Sequence, residues 1–135
     1  MSREIKFRAW DKQNKNMEEV DLLGSNVLHI KNSEWENIED FEVMQYTGLK
    51  DLKGKELYEG DIIKWGHIGD IKEDPIRIAI VEINPDLQFR CINLEYRNKN
   101  VIFNYGNFAY KDTEKYVEKI GDIYTTPEIL KEVAK

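Results

Sequence analysis

Carboxylates are the side chains with which this sequence could most readily carry out chemistry. Five of them surround the centre of the chain: Asp51, Glu56, Glu59, Asp61 and Asp70. Two carboxylates can serve a hydrolase as acid and base, or a nuclease as metal ligands. Any acidic protein offers such a set, however, and Asp61 has a structural role as the acceptor of a backbone hydrogen bond in the turn after Gly60. The sequence therefore does not favour an enzyme, and no residue is predicted to be catalytic.

Histidine and cysteine are too few for a structural metal site. His29 and His67 lie far apart and Cys91 is the single cysteine, whereas structural zinc sites use closely spaced ligand pairs. Residues 66–69 read Gly-His-Ile-Gly, which resembles a phosphate-binding loop only in its two glycines. The further glycine and the Lys-Ser/Thr pair of such loops are absent from this segment. We therefore expect no metal and no cofactor. Cys91 falls in an apolar strand pattern, which predicts a buried, inert thiol in a reducing compartment.

Basic and aromatic residues support a second interpretation, nucleic-acid binding. Cations cluster near the N-terminus, and cations alternate with aromatic residues between residues 90 and 111. A basic groove with stacking aromatics is how small β-barrels hold single strands. Against this, the net charge is −6 and many aromatics must fill the core. This interpretation is the alternative, and its predicted binding residues are Arg3, Lys6, Arg8, Arg90 and Arg97.

The elements that position these residues are organised around residues 45–65. Gly48 and Gly54 are predicted to take positive φ, which glycine adopts without a Cβ clash. Gly60 and Asp61 form a tight turn that leads into a β-branched and aromatic strand at residues 62–65. Between the first two glycines lies a charged loop. We expect its Lys50 and Lys53 to contact a protein partner.

Apolar periodicity predicts a mainly β chain with short helices, an α+β fold. Residues 1–45 are expected to form a smaller β/α part, and residues 46–135 a small SH3-like β-barrel with a C-terminal helix. A helical turn is predicted at residues 35–41 with Ser33 as its cap, and the last helix starts with Thr126 as cap. Strands are predicted at residues 4–10, 17–23, 27–31, 62–65, 76–83, 87–94, 101–103 and 116–120. The strand at residues 76–83 is apolar on both sides, which predicts a central position, and a turn at residues 84–86 joins it to residues 87–94 in a hairpin.

Three blocks of sequence resemble the YopX-like family of phage and prophage proteins. Residues 44–63 contain MQYTGLKD, GKE and YEGDI; residues 3–11 read REIKFRAWD; and residues 120–124 read IGDIY, followed by Pro127, Glu128 and Leu130. The last block differs, with Asp122 and Thr125–Thr126 where the family usually has amides and an acidic residue. That family has no assigned activity. The resemblance therefore implies a phage or prophage context and no catalytic residue.

Together these observations favour an accessory protein that acts through protein contacts, as a homo-oligomer and with an unidentified partner. Trp10, Trp35 and Trp65 are large rings that a chain of 135 residues is not expected to cover fully. Alternation in the first strand places Ile5, Phe7 and Ala9 on an inner face and Trp10 with Lys6 and Arg8 on the other face. Trp10 therefore either packs under its own chain or meets another chain. A membrane-spanning helix needs about 18 consecutive apolar residues, and no apolar run in the sequence approaches that length. The first residues also lack the pattern of a signal peptide. We expect a location in the host cytoplasm.

Overall fold

The computed structural model describes residues 5–31, 35–65, 77–84, 86–105 and 113–133. Eleven strands lie within these ranges, together with two short α-helices and a 3₁₀ helix at Ile38–Asp40. The strands are β1 (Phe7–Asp11), β2 (Asn16–Leu23), β3 (Val27–Ile30), β4 (Trp35–Asn37), β5 (Phe41–Lys50), β6 (Glu56–Tyr58), β7 (Asp61–Trp65), β8 (Arg77–Ile83), β9 (Leu87–Tyr96), β10 (Lys99–Asn104) and β11 (Glu118–Asp122). The α-helices are α1 (Thr113–Tyr116) and α2 (Glu128–Val133).

The strands form two antiparallel sheets. The first has the order β4-β3-β2-β1-β5-β6, and the second has the order β10-β9-β8-β7-β11. The prediction of a mainly β fold is confirmed. The predicted SH3-like barrel is not, because over the described residues β10 and β11 are opposite edges of an open sheet. The predicted division at residues 45 and 46 falls inside β5, which pairs with β1 on one side and β6 on the other.

The hairpin of β8 and β9 forms as its sequence predicts. Ala79 is opposite Cys91 and Ile83 is opposite Leu87, and beyond them the Asn84 amide donates to the Asp86 carbonyl at 3.0 Å. β8 also pairs with β7, so the predicted central position of this apolar strand is confirmed. A strand covered on both faces can be apolar on both, which explains why its sequence shows no polar side.

A hydrophobic core lies on one face of the second sheet. Its fully buried residues include Trp65, which contacts the rings of Phe89 and Phe103 at centroid distances of 5.9 and 5.5 Å. The expectation that the chain would not fully bury the Trp65 ring is therefore wrong. A smaller core on the first sheet contains Ala9, Leu28, Ile30 and Phe41.

Strand β1 is buried differently from the prediction. Alternation indicated an inner face of Ile5, Phe7 and Ala9, but Ile5 is exposed and Arg8, on the other face, is only 7% exposed. The cause is that β1 is internal to the first sheet and is covered on both sides. Ala9 faces the smaller core, and Arg8 faces the second sheet.

Two predicted helix starts also differ. Trp35 lies in β4, and the short helix begins only after Asn37, whose side chain accepts a hydrogen bond from the Glu39 amide at 3.1 Å. The predicted cap Ser33 lies outside the described residues. At the start of α2, the Thr126 hydroxyl is bonded to the backbone of Asp122 rather than to the helix. The Thr126 carbonyl instead accepts from the Ile129 amide at 3.2 Å.

Candidate functional site

The clearest concentration of buried charge is where the two sheets meet. Arg8 on β1 donates from Nη2 to Asp61 Oδ1 on β7 at 2.7 Å, and to the carbonyl of Glu59 at 3.1 Å. The guanidinium also lies over the ring of Tyr58, 4.7 Å from its centroid. The Asp61 side chain is fully buried and that of Arg8 nearly so. A buried charge needs such a partner, because losing its water is costly.

Asp61 receives a second cation and a backbone donor. Lys119 Nζ on β11 lies 3.2 Å from the same Oδ1 atom, and the Tyr58 amide donates to Oδ2 at 2.7 Å. The hydrogen bond from the Tyr58 amide is the turn hydrogen bond that the sequence predicts for Asp61. Burial raises the pKa of the Asp61 carboxyl, while Arg8 and Lys119 act in the opposite direction. Two cations therefore share one carboxylate.

Asp51 holds the charged loop next to this junction. Its Oδ1 atom accepts from the amides of Lys53 and Lys55 at 2.9 and 2.8 Å, and its Oδ2 atom accepts from the amide of Lys119 at 2.9 Å. A buried carboxylate with three backbone donors is satisfied, so Asp51 has a structural role and is not a free acid or base. The spacing of Asp51 and Gly54 is the local signal for this turn, whereas no local signal in the sequence points to Lys119.

The three turn glycines support the same region. Gly48, Gly54 and Gly60 have φ of 87°, 80° and 86°. Residues with a side chain rarely adopt this conformation. The predicted positive φ of Gly48 and Gly54 is therefore observed. A Cβ on Gly60 would also meet Met44 Sδ at 3.3 Å, so this turn is closely packed as well.

The structure separates the residues predicted to contact a protein partner. Trp10 stacks on Tyr124 of its own chain, with ring centroids 5.7 Å apart, so the intramolecular alternative holds for this ring. Trp35 is 53% exposed. Lys50 is exposed, while Lys53 Nζ lies 2.9 Å from Glu118 Oε2. Lys53 and Lys64 together lower the pKa of Glu118.

The residues predicted to bind nucleic acid are mostly engaged with the protein. Arg3 lies outside the described residues. Lys6 forms an ion pair with Glu56, and Arg8 is buried against Asp61. Arg90 donates to Glu82 Oε2 at 2.9 Å and to Asn100 Oδ1 at 3.2 Å. Arg97 is exposed over the ring of Tyr96. Lys6 precedes β1 and Arg8 lies on it, in the first sheet, whereas Arg90 lies on β9 of the second sheet.

A row of three side chains, the apolar row, crosses three strands at the end of the first sheet, with the half-buried imidazole of His29 between the exposed side chains of Leu22 and Trp35. His29 Nδ1 also lies 3.5 Å from Asp21 Oδ2. Leu22 on β2 is opposite His29 on β3, which is opposite Trp35 on β4. The rings of His29 and Trp35 meet edge to face at a centroid distance of 5.3 Å. Leu22 is 57% exposed. Sequence reasoning pointed to Trp35 but did not place Leu22 and His29 beside it.

Two kinds of feature are absent from the described ranges. Within them, no group of three or more His, Cys, Asp or Glu side chains is arranged to hold a metal ion. No helix found there is long and apolar enough to cross a membrane.

A comparison with models of known families tests the resemblance of residues 3–11, 44–63 and 120–130 to the YopX-like family. A family model described as YopX protein matches residues 6–131. The chain belongs to the YopX family. The resemblance in the sequence blocks is thereby confirmed over nearly the whole chain.

The chain is also similar to a solved structure, that of protein EF1440 from Enterococcus faecalis. This protein has 24% sequence identity to the chain and a TM-score of 0.56, and the alignment covers 96% of this chain and 99% of that one. The likeness concerns the fold. No match was found among the curated proteins.

Proposed function

We propose that this YopX-family chain is a phage or prophage accessory protein of the host cytoplasm that acts through protein contacts as a homo-oligomer. The observation that carries the proposal is the apolar row, in which the exposed side chains of Leu22 and Trp35 flank His29. Contiguous exposed apolar side chains mark interaction surfaces, and tryptophan is enriched among the residues that dominate binding energy.

The position of the row in the sheet supports self-association. Trp35 belongs to β4, an edge strand of the first sheet, and all three residues of β4 are exposed. An edge strand can pair with its copy about a two-fold axis, so that each Trp35 packs on the row of the other chain. Val27, 38% exposed and two residues before His29 on β3, extends the same face.

Nucleic-acid binding has less support, because Lys6, Arg8 and Arg90 already contact acidic partners. Titration into labelled single and double strands at about 50 mM salt separates the two functions, since phosphate contacts are strongest at low salt. Saturable binding there would favour the alternative.

The test of self-association is molar mass in solution by light scattering at micromolar concentration. We expect a mass above that of the 16.0 kDa monomer, and a lower mass for Trp35→Ala with an unchanged far-ultraviolet circular dichroism spectrum. Tyr96→Ala is the matched control, because Tyr96 is also an exposed aromatic, on β9 of the other sheet. A monomeric native protein refutes the proposal. An equal loss of mass in both variants would place the interface elsewhere.

A further inference from the structure

A cavity of about 380 Å³ is lined by residues of both sheets. Its wall includes Met44 of β5 in the first sheet and Ile80 of β8 in the second, together with Gly60 in the turn before β7 and Ile123 after β11. This volume is in the range of sites for small molecules, which combine apolar surface with a few polar groups. Met44, Ile80 and Ile123 supply apolar surface here.

Backbone hydrogen bonds hold this wall together. The Gly60 amide donates to the Val81 carbonyl at 2.8 Å, and the Gly60 carbonyl accepts from the Ile123 amide at 2.9 Å. These two bonds join the turn before β7 to β8 and to the segment after β11. Met44 and Ile80 are buried, so their positions are fixed by packing. The cavity is therefore formed by the fold itself, as small-molecule sites usually are.

Glu59 brings a carboxylate without an ion-pair partner to this cavity. Its Oε1 atom accepts from the Gln45 amide at 2.9 Å, and its own amide donates to the Gln45 carbonyl at 3.0 Å. No cation of the described residues lies within ion-pair distance of this carboxylate. Arg8 contacts only the Glu59 carbonyl and is paired with Asp61. Glu59 is half-buried, so water solvates its charge incompletely.

The other charged residues on the described part of the wall neutralise each other. Arg90 Nε donates to Glu82 Oε2 at 2.9 Å, and Glu82 Oε1 accepts from Gln88 Nε2 at 3.1 Å. The described wall therefore contains two carboxylates and one cation. Its excess charge is the negative charge of Glu59.

The cations at the junction of the two sheets do not remove this excess. Arg8 and Lys119 share Asp61 Oδ1, at 2.7 and 3.2 Å. Both line a separate cavity, whose wall also contains three carboxylates, those of Glu18, Glu19 and Glu56. The charge of Arg8 and Lys119 is thus matched by acidic groups other than Glu59.

We propose that the 380 Å³ cavity binds a small organic cation, an amine with an apolar body, whose ammonium group pairs with Glu59. The ammonium supplies the missing positive charge, and a hydrogen bond between ionised groups is stronger than one between neutral groups. The apolar body lies against Met44, Ile80 and Ile123. This site shares no residue with the apolar row, so it does not depend on self-association.

The test is calorimetric titration of the full chain at neutral pH with three probes of similar size, the cation benzylamine, the neutral benzyl alcohol and the anion benzoate. We expect saturable binding of benzylamine, weakened by added salt, and a rise in melting temperature at saturating benzylamine. Benzyl alcohol should bind about fivefold more weakly, because it lacks the charge. Absence of saturable benzylamine binding overturns the proposal. Equal or tighter binding of either other probe also overturns it.

A pair of variants tests the role of Glu59. Glu59→Gln should weaken benzylamine binding about fivefold, the effect of losing one partly exposed ion pair, and leave the affinity for benzyl alcohol unchanged. The glutamine retains an oxygen that can accept from the Gln45 amide, so the variant should fold like the native chain. Glu95→Gln is the control, because it removes the same charge from an exposed position on β9. Equal benzylamine affinities of the two variants would show that the amine binds elsewhere.

Amide resonances of the native chain locate the amine without any substitution. Benzylamine should shift the resonances of Gly60 and Ile123, whose amides lie in the cavity wall. The resonance of Glu95 should stay in place. Shifts confined to residues outside the wall would refute the site even if Glu59→Gln failed to fold.

Discussion

Arg8 and Asp61 form a buried ion pair that joins the two sheets, with Nη2 and Oδ1 2.7 Å apart. The two residues are 53 positions apart in the chain, and β1 and β7 belong to different sheets. The pair brings a cation on β1 and a carboxylate at the start of β7 into one buried contact. Both residues are needed to complete this buried contact, and that requirement does not depend on a role in catalysis.

Removing one partner of this pair should strongly destabilise the fold. Asp61→Asn leaves Arg8 and Lys119 without their shared negative charge, and breaking a buried pair typically costs about 3–5 kcal/mol. The free energy of unfolding in urea measures the loss. Lys53→Met, which removes a largely exposed pair with Glu118, is the control and should unfold at nearly the native urea concentration. Similar midpoints for both variants would show that burial of the Arg8 contact adds no stability.

Gly60→Val should destabilise more than Gly54→Val. Both glycines have positive φ, so a β-branched residue costs about 1–3 kcal/mol at either position. At Gly60 the added side chain also meets Met44 Sδ at 3.3 Å and Ile123 Cγ1 at 3.5 Å, whereas no atom lies within 4 Å at Gly54. Thermal unfolding of the two variants compares them. If Gly60→Val melts at the native temperature, the fold does not require a positive φ at this position.

Gly121→Ala should destabilise for a purely steric reason. A Cβ at this position would overlap Thr126 Oγ1 and approach Ile129 Cδ1 at 2.9 Å, so α2 would have to move away from β11. The fold should melt at a lower temperature and lose part of its helical circular dichroism. Thr126→Ala removes the overlapping atom. We therefore expect the double variant to be more stable than the two single effects added together; additive effects would mean that the overlap is relieved in another way.

Cys91 should react slowly with thiol reagents in the folded protein. Burial raises its pKa to about 11, so the thiolate is scarce near pH 8 and the sulfur is also inaccessible. The raised pKa favours the neutral thiol in the folded state. Its contribution to stability is complete below the ordinary thiol pKa and is lost as pH rises from that value towards about 11. Rates with Ellman's reagent, native and in urea, test the first point, and fast native labelling would contradict it.

The sequence and the structure agree best where structure depends on neighbouring residues. Asn84, Pro85 and Asp86 predict the turn between β8 and β9, and the hairpin register follows from the apolar runs on either side. Positive φ at Gly48 and Gly54 is likewise a local property of the backbone. The predicted helical turn is wrong at Trp35. Apolar residues at every third position do not exclude a short edge strand, and the residues at Trp35 form strand β4 because they pair with β3.

Contacts between distant strands are what the sequence alone left open. The alternation of β1 placed Arg8 and Trp10 on a polar-looking face, and it could not show that the second sheet covers that face. Asp61 pairs with Arg8, and Tyr124 stacks on Trp10, only because the order of strands brings these residues together. Turn and strand preferences arise from each residue's own backbone and its neighbours, so the sequence determined them. The pairing of charges and rings depends on the packing of whole sheets, so only the tertiary structure decided it.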